Sequence, residues 1–228
     1  MIDVNIEDFR NLLNLAGAFT SEATFNVKDG SLEVTVIDDA HVAMAKGSIT
    51  LNSTPEIESF TVDVEKALKA LATTGNDVRL SIKDGVMLIA GEKSKASLSL
   101  YATTNNVLRD VKYTPVAYGS ISPSRLKPTL AFGQYSKADY VRISVSNGKL
   151  GIIAGLYPNV VEVEGDETGV GDATAGFMMS YVQTVADLSS KAKSDLKISL
   201  GGDDYPALFE WGSENAKYSV LVAPRIES

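Results

Sequence analysis

The chain has few side chains that could act as catalysts. It contains one histidine, His41, and no cysteine. Cysteine–histidine nucleophilic chemistry and zinc sites built on cysteine or on two histidines are therefore excluded. His41 follows Asp38 and Asp39 and could act as a catalytic base, but no serine or threonine stands out as its nucleophilic partner. We therefore expect no catalytic residue and no enzymatic activity, and the alternative is a hydrolase that uses His41.

Two short patterns resemble ligand-binding loops but lack what such loops need. Gly169 and Gly171 could form a phosphate-binding turn, which also requires a preceding strand, a following helix and usually a lysine. Carboxylates that would repel phosphate surround this turn, namely Glu162, Glu164, Asp166, Glu167 and Asp172. Asp203 and Asp204 could bind a divalent metal, although adjacent acids are more typical of an exposed turn. We therefore predict neither a metal site nor a cofactor site.

The positive charges are distributed unevenly along the chain. The net charge of −8 would by itself argue against nucleic acid binding. However, four segments with helical periodicity, 7–19, 64–74, 124–137 and 181–193, together carry +4, so the remainder carries −12. Charged helix faces are often merely solvated, but a basic helical surface inside an acidic shell would hold a phosphate backbone without reading bases. The candidate phosphate-binding residues are Arg10, Lys66, Lys69, Arg125, Lys127, Lys137, Lys191 and Lys193.

The elements that must position these residues form an internal repeat. Alternating apolar and polar residues meet at Asp-Gly or Asn-Gly pairs, which is the pattern of a β-hairpin. The turn glycines are Gly30, Gly85, Gly148 and, in a looser copy, Gly201. A segment with helical periodicity precedes each hairpin, so the chain is predicted to repeat strand–helix–strand–strand four times. Because proline is tolerated only in the first turn, Pro128 predicts that the third helix begins at or after Ser124.

Two repeats in each half of the chain predict two similar domains. The predicted division is an N-terminal domain over 1–102, a connecting loop over 103–115 and a C-terminal domain over 116–228. The connecting segment is polar at its start and ends at a proline, as linkers commonly do. The irregular segment 165–172 is predicted to be a surface loop.

Several motifs resemble the proliferating cell nuclear antigen family. The segment 36–44, Val-Ile-Asp-Asp-Ala-His-Val-Ala-Met, has that family's aliphatic–Asp–x–x–His–Val hairpin pattern. The segment 218–227 is similar to its closing strand and Leu-Ala-Pro-Lys/Arg-Ile-Glu tail. The Asp-Tyr-Pro at 204–206 matches its proline-containing turn, and Ser-Pro-Ser at 122–124 opens the second domain as in the family. The resemblance covers the whole chain, although the first helical segment is slightly acidic and Leu221 stands where an aromatic residue is common.

The resemblance implies an α+β DNA-clamp fold of two similar domains, each with two helices on antiparallel sheets. It implies a head-to-tail homotrimeric ring whose helices line a hole that encircles duplex DNA without sequence preference. The implied function is a sliding clamp, or processivity factor, which tethers DNA polymerase, clamp loader, nuclease and ligase through their short hydrophobic motifs during replication and repair. An archaeal or viral member is expected, located in the cytoplasm or nucleoid of a prokaryotic cell or in a virus-infected host, with no membrane partner.

The resemblance also implies a pocket that accepts an aliphatic or aromatic anchor from a partner peptide. The residues assigned to it are Ile37, His41, Val42, Val107, Leu108, Pro206, Leu221, Ala223 and Pro224. Edge strands near 95–102 and 159–165 are expected to pair across the subunit interface, because unpaired edges need a partner. The alternative is a clamp-fold binding subunit of a heteromeric or specialised ring that is not a general processivity factor.

Overall fold

The protein forms two compact units. The computed structural model describes residues 2–53, 56–74, 78–103, 111–203 and 205–225, except the side chains of residues 167 and 168. The first unit comprises Met1–Arg109 and Ser213–Tyr218, and the second comprises Asp110–Gly212 and Ser219–Ser228. The predicted boundaries place 213–218 in the C-terminal domain, whereas the contacts of this segment lie in the first unit. The Asn215 carbonyl, for example, accepts a hydrogen bond of 2.8 Å from the Thr50 N–H.

The first unit contains two helices and two antiparallel sheets. Its elements are α1 (Ile6–Gly17), β1 (Glu22–Lys28), β2 (Ser31–Ile37), β3 (Ala43–Thr50), β4 (Ser59–Asp63), α2 (Val64–Thr74), β5 (Arg79–Lys83), β6 (Val86–Ala90) and β7 (Lys95–Ser99). One sheet has the order β4–β1–β2–β3 and continues into the first half of β15 (Ala216–Val222), and the other has the order β5–β6–β7. The two helices pack against each other.

The second unit repeats this arrangement. Its elements are β8 (Ala117–Ile121), α3 (Pro123–Tyr135), β9 (Tyr140–Ser146), β10 (Lys149–Leu156), β11 (Asn159–Thr168), β12 (Ala173–Met178), α4 (Met179–Lys191), β13 (Leu196–Leu200), β14 (Ala207–Gly212) and the second half of β15. Its sheets have the orders β15–β14–β13–β8 and β11–β10–β9–β12. The prediction of two similar α+β units, each with two helices on antiparallel sheets, is confirmed.

The three sharp hairpin turns lie where the sequence predicted them. In the pairs Asp29-Gly30, Asp84-Gly85 and Asn147-Gly148, both residues have φ between 47° and 77°. Positive φ at both central residues defines the two-residue turn whose twist matches that of the flanking strands. The fourth copy is looser, as expected, because Leu200 pairs with Ala207 and six residues separate them.

The repeat contains one strand more than predicted. After each helix, a third strand follows the two that were predicted, and β4, β8 and β12 then lead into the next helix. The additional strands are β3, β7, β11 and β15. The predicted loop over 165–172 is wrong for its first part, because β11 continues to Thr168. Lys149 pairs with Thr168 and Gly151 with Glu164, so a bulge accommodates the extra residues between them.

The third helix also differs from its prediction, because it begins at Pro123 and contains Pro128 in its sixth position. Pro123 occupies the first turn, where its missing N–H has no intrahelical partner to lose. Pro128 does remove one helical hydrogen bond, but its ring is exposed and the helix continues to Tyr135. Packing against α4, β10 and β11 therefore outweighs the local cost of the proline.

Each unit has its own aromatic core between helices and sheet. In the first unit, Phe25 stacks on Phe60 at 5.4 Å between ring centroids and contacts Phe9 at 6.1 Å. Helix α1 approaches β3 closely at Gly47, where a Cβ would collide with the Leu12 side chain. In the second unit, Phe177 and Phe209 meet edge to face at 6.2 Å. These cores hold the helices against one face of the sheets and leave the opposite face of each helix to solvent.

Candidate DNA-binding helices and partner-binding segments

The Asp–x–x–His motif forms the turn between β2 and β3. The buried Asp38 carboxylate accepts hydrogen bonds from the N–H groups of Val42, at 2.8 Å, and Ala43, at 2.6 Å. His41 has a left-handed φ of 56°, and its N–H donates to the Asp38 carbonyl at 2.9 Å. The acid of the motif thus holds the turn closed, and the exposed imidazole projects from its tip. This geometry explains the motif as a structural turn.

The residues of the predicted partner pocket occur in both units. In the first unit, Ile37 and Val42 are half-buried and His41 is exposed. In the second unit, Pro206, Leu221, Ala223 and Pro224 are all half-buried. Val107 and Leu108 lie outside the described residues. The assembly of these positions into one pocket stays a prediction.

Tyr113 anchors the loop between β13 and β14, a role that the sequence analysis missed. Its hydroxyl donates to the carbonyls of Ser199, at 2.6 Å, and Pro206, at 3.2 Å. Asp203 of the same loop accepts a hydrogen bond of 2.7 Å from the Thr174 N–H. Tyr113 therefore helps to fix the position of Pro206. The Asp203 carboxylate is engaged with the backbone N–H of Thr174. Asp204, the second half of the candidate metal pair, lies outside the described residues.

Replacing Tyr113 by phenylalanine is expected to lower the free energy of unfolding at neutral pH by about 1 kcal/mol, because two carbonyls lose their donor.

The same hydroxyl also makes stability depend on alkaline pH. Burial raises the pKa of the Tyr113 phenol to about 12, whereas an unfolded tyrosine ionises near pH 10. The stability that comes from the protonated phenol is therefore complete below about pH 10 and is lost as the pH rises towards 12. Urea unfolding at neutral and alkaline pH measures both effects. Tyr205→Phe, at an exposed tyrosine of the same loop, is the control. A Tyr113→Phe variant with the parent's full alkaline loss would contradict the assignment.

Two of the basic residues predicted in the first unit, Lys66 and Lys69, are exposed on α2 and pair with acidic residues. The Lys66 ammonium lies 2.8 Å from the Asp63 carboxylate, which also accepts a hydrogen bond from the Lys66 N–H and so caps α2. Lys69 pairs with Glu65 one turn earlier, at 2.5 Å. The Asp63 carboxyl pKa is lowered mainly by its hydrogen bonds with Lys66.

The acidic start of α1 has a local cause. Asn5 accepts hydrogen bonds from the N–H groups of Glu7, at 2.9 Å, and Asp8, at 3.1 Å, and so caps the helix. Acidic residues in a first turn interact favourably with the helix dipole. Arg10 follows on the next turn and is half-buried. The net negative charge of α1 is therefore a feature of its N-terminus and does not extend along the helix.

In the second unit, two of the predicted cations join elements together. Arg125 lies 2.5 Å from the Asp166 carboxylate in the β11 bulge, and Asp166 also accepts a hydrogen bond from the Ser122 N–H. Since Ser122 makes no side-chain cap, Asp166 supplies the cap of α3 from the neighbouring strand. Lys127 of α3 pairs with Asp187 of α4 at 2.8 Å. The Asp166 carboxyl pKa is lowered, first by its hydrogen bond with Arg125.

Two other predicted cations occupy unusual backbone positions at helix ends. Lys137 has φ of 59° and Lys193 has φ of 53°, each in the left-handed position after its helix, where glycine is usual. Around Lys137, the Ala138 N–H bonds the Gly133 carbonyl at 2.9 Å, which closes a Schellman motif. Around Lys193, the Ser194 N–H bonds the Ser189 carbonyl at 3.1 Å in the same way. Both lysines are exposed, as is Lys191 in the last turn of α4.

The strands predicted to form the subunit interface lie at sheet edges. β7 is the outer strand of β5–β6–β7, and β11 is the outer strand of β11–β10–β9–β12. Exposed apolar residues lie beside β11 in the β11–β10–β9–β12 sheet. Tyr157 is 93% exposed and Val160 is 50% exposed, and Tyr135 of the neighbouring α3 is 87% exposed. Such unpaired edges and apolar patches are typical of surfaces that another chain covers.

The segment with Gly169 and Gly171, which the sequence analysis rejected as a phosphate-binding turn, packs closely against Val116. Gly171 has φ of 81°, and a Cβ there would collide with the Val116 carbonyl. Val170 and Tyr118 exchange two backbone hydrogen bonds of 2.9 Å.

Within the described residues, no three histidine or acidic side chains come together as a metal site would require. In that same part of the chain, no helix is long and apolar enough to cross a membrane.

The chain is similar over nearly its whole length to archaeal sliding clamps. It is 25% identical over 246 residues to a DNA polymerase sliding clamp of Methanococcus maripaludis and 24% identical over 256 residues to one of Methanococcus vannielii, covering 98% of both chains in each case. This similarity supports the resemblance to the sliding-clamp family that the sequence motifs indicated. No family model matches the chain.

Solved structures of sliding clamps have the same fold. The structure of A. fulgidus PCNA with the C-terminal region of FEN-1 superposes with a TM-score of 0.89 at 20% identity, over 100% of both chains. PCNA of Thermococcus kodakaraensis superposes with a TM-score of 0.85 at 16% identity, over 99% of both chains. The clamp fold predicted from the hairpin motif, the tail motif and the fourfold repeat is therefore confirmed.

Proposed function

We propose that this chain is a non-enzymatic subunit of a sliding clamp, which encircles duplex DNA and tethers DNA polymerase to it. The observation that carries the proposal is the match to archaeal DNA polymerase sliding clamps over 98% of both chains, with the same fold. The two Methanococcus relatives are DNA polymerase sliding clamps, so a specialised subunit without processivity function is not favoured. The proposal places the protein inside the cell, on DNA.

The proposed ring is a head-to-tail homotrimer in which β7 of one copy pairs with β11 of the next. Both strands lie at the outer edges of their sheets. Opposite charges support this pairing, because β7 begins at the exposed Lys95, after Lys93, and β11 presents Glu162. The exposed Tyr157 and Val160 supply apolar area beside the β11 edge. A heterologous contact of this kind closes into a ring when the rotation between copies is suitable.

The proposed DNA-binding surface consists of the exposed faces of the four helices. The cations there would touch phosphates and make no base contacts, so binding is independent of sequence. Four of them, Lys66, Lys69, Arg125 and Lys127, are held by carboxylates within 2.8 Å and would exchange them for phosphate. Such contacts are individually weak, which suits a protein that stays on DNA by encircling it.

The proposed partner site takes short aliphatic–aromatic motifs from polymerase, clamp loader, nuclease and ligase. A. fulgidus PCNA binds the C-terminal region of FEN-1, and we carry this mode of binding over to the present chain. The extended tail at Ala223 and Pro224 would pair with the incoming backbone, while an apolar anchor enters near Pro206 and Leu221. All four residues are half-buried, as the rim of a pocket would be.

Reversing the charge of Lys66 and Lys69 to glutamate is expected to reduce polymerase stimulation on primed circular DNA at least fivefold while the oligomer stays intact. Both ammonium groups lie on the exposed face of α2, so the change puts two carboxylates against phosphate. Lys149→Glu together with Lys197→Glu is the matched control, because these lysines also pair with carboxylates but lie on strands. Mass and primer-extension assays measure the two properties. Stimulation at the parent level would show that α2 does not face DNA.

A further inference from the structure

In the described part of the tail after β15, Arg225 makes the contacts that hold it to the neighbouring sheet. β15 ends at the buried Val222, and the next residues extend without a strand assignment. The Arg225 N–H donates a hydrogen bond of 2.8 Å to the carbonyl of Gly176 in β12. β12 is the outer strand of its sheet, so the tail crosses an edge that has no other strand beside it among the described residues.

The Arg225 side chain adds two contacts to this backbone bond. Its guanidinium lies 2.6 Å from the Asp139 carboxylate and 5.2 Å from the centroid of the Tyr140 ring. Asp139 and Tyr140 are consecutive residues at the start of β9, which pairs with β12. The Asp139 carboxyl pKa is lowered, first by its hydrogen bond with Arg225. Three different groups of one sheet therefore hold one residue of the tail.

The anchor fixes the two residues that precede it. Ala223 and Pro224 lie between the buried Val222 and the anchored Arg225. The ring of Pro224 also restricts the φ angle of that residue. A segment held at both ends keeps its carbonyl and N–H groups in place. A peptide that adds to it then pays less conformational entropy than a peptide that must first order a free tail.

We propose that Arg225 is a positioning residue for partner binding, which holds the tail extended through Asp139, Tyr140 and Gly176 so that a partner peptide can pair with it. This inference rests on the proposed function, because it assumes that the partner motif binds at the tail. Arg225 itself acts on the tail and need not touch the peptide.

The second unit offers a matched control for the side-chain contacts. Lys197 lies 5.7 Å from the centroid of the Tyr118 ring and 3.5 Å from the Glu210 carboxylate. It thus combines a cation, an aromatic ring and an acid as Arg225 does, but on β8, β13 and β14, whereas the contacts of Arg225 are with β9, β12 and Asp139. A general effect of losing a surface cation would appear equally at both sites.

The test is calorimetric titration of the parent, Arg225→Leu, Arg225→Lys and Lys197→Leu proteins with a synthetic peptide of the FEN-1 C-terminal region. We expect about tenfold weaker binding to Arg225→Leu, with the loss in the entropy of binding. We expect partial recovery in Arg225→Lys, which keeps the charge, and unchanged binding to Lys197→Leu. Hydrogen exchange of the residue 225 amide is expected to accelerate at least tenfold in Arg225→Leu with the melting temperature unchanged.

The outcomes separate the two proposals. If the parent protein does not bind the peptide, the partner site of the proposed function fails and this inference fails with it. If the parent binds and Arg225→Leu binds equally well, the partner site stands and the role of Arg225 is overturned. Equal weakening in Arg225→Leu and Lys197→Leu would also overturn it, because the effect would then be one of charge.

Discussion

Replacing Tyr157 and Val160 together by aspartate is expected to convert the assembly from three times the 24.3 kDa chain mass to the mass of a single chain. In the proposed ring both side chains become buried against the next copy. A buried, unpaired carboxylate costs several kcal/mol, so two of them weaken each contact by roughly 4 kcal/mol or more, about a thousandfold. Since Tyr157 is 93% exposed and Val160 is 50% exposed in the single chain, its fold loses little packing.

Sedimentation or light scattering at micromolar concentration measures the mass, and circular dichroism shows whether the chain remains folded. Val170→Asp is the control, because Val170 is 48% exposed in the same unit but lies outside the β11 edge. The control should keep the parent's mass. A trimer that survives both aspartates would place the interface elsewhere, and a parent protein of single-chain mass would remove the ring altogether.

Replacing Lys137 and Lys193 by glycine is expected to stabilise the protein and weaken its function at the same time. The left-handed conformation costs a side-chain-bearing residue about 1–2 kcal/mol that glycine does not incur. A lysine at a helix C-terminus regains only about 0.3–1 kcal/mol from the helix dipole. The first term is larger, so the free energy of unfolding should rise by roughly 1–2 kcal/mol for the pair, while polymerase stimulation falls at least fivefold.

Asp29→Gly is the control for this pair, because Asp29 also has positive φ, 47°, but lies in a hairpin turn. It should change stability slightly, since aspartate tolerates this conformation, and leave stimulation unchanged. Thermal melting and primer extension on circular DNA measure the two effects. If the double glycine variant stimulates the polymerase as well as the parent does, the two lysines serve the helix ends alone.

Local sequence patterns predicted the parts of the fold that depend on local physics. The pairs Asp29-Gly30 and Asn147-Gly148 specify two-residue turns because few residues tolerate positive φ. The third strand of each repeat depends instead on its neighbour. β7 is a short strand with two serines and one lysine among its five residues, and β11 is acidic. Each therefore becomes a strand by pairing with β6 or β10.

The same distinction applies to the candidate site. The pair Lys69–Glu65 follows from residues four apart on one helix, so helical spacing alone could have revealed it. The contacts of Arg125 with Asp166 and of Arg225 with Asp139 join residues far apart in the chain. No pattern within a window of a helix or hairpin carries that information. Sequence analysis therefore located the cations but missed their acidic partners.

The ion pairs on the helices affect how the concentration of salt changes the hold on DNA. A free cation that meets a phosphate releases condensed counterions, and log K then falls by about 0.9 per phosphate with log salt concentration. Lys66, Lys69 and Lys127 must first leave a carboxylate, which then collects a cation from solution. The release of counterions from DNA is thus partly balanced by the uptake of cations at the vacated carboxylates of the protein. The affinity of the clamp for DNA is therefore expected to fall less steeply with salt concentration than the number of cations on its helices would predict.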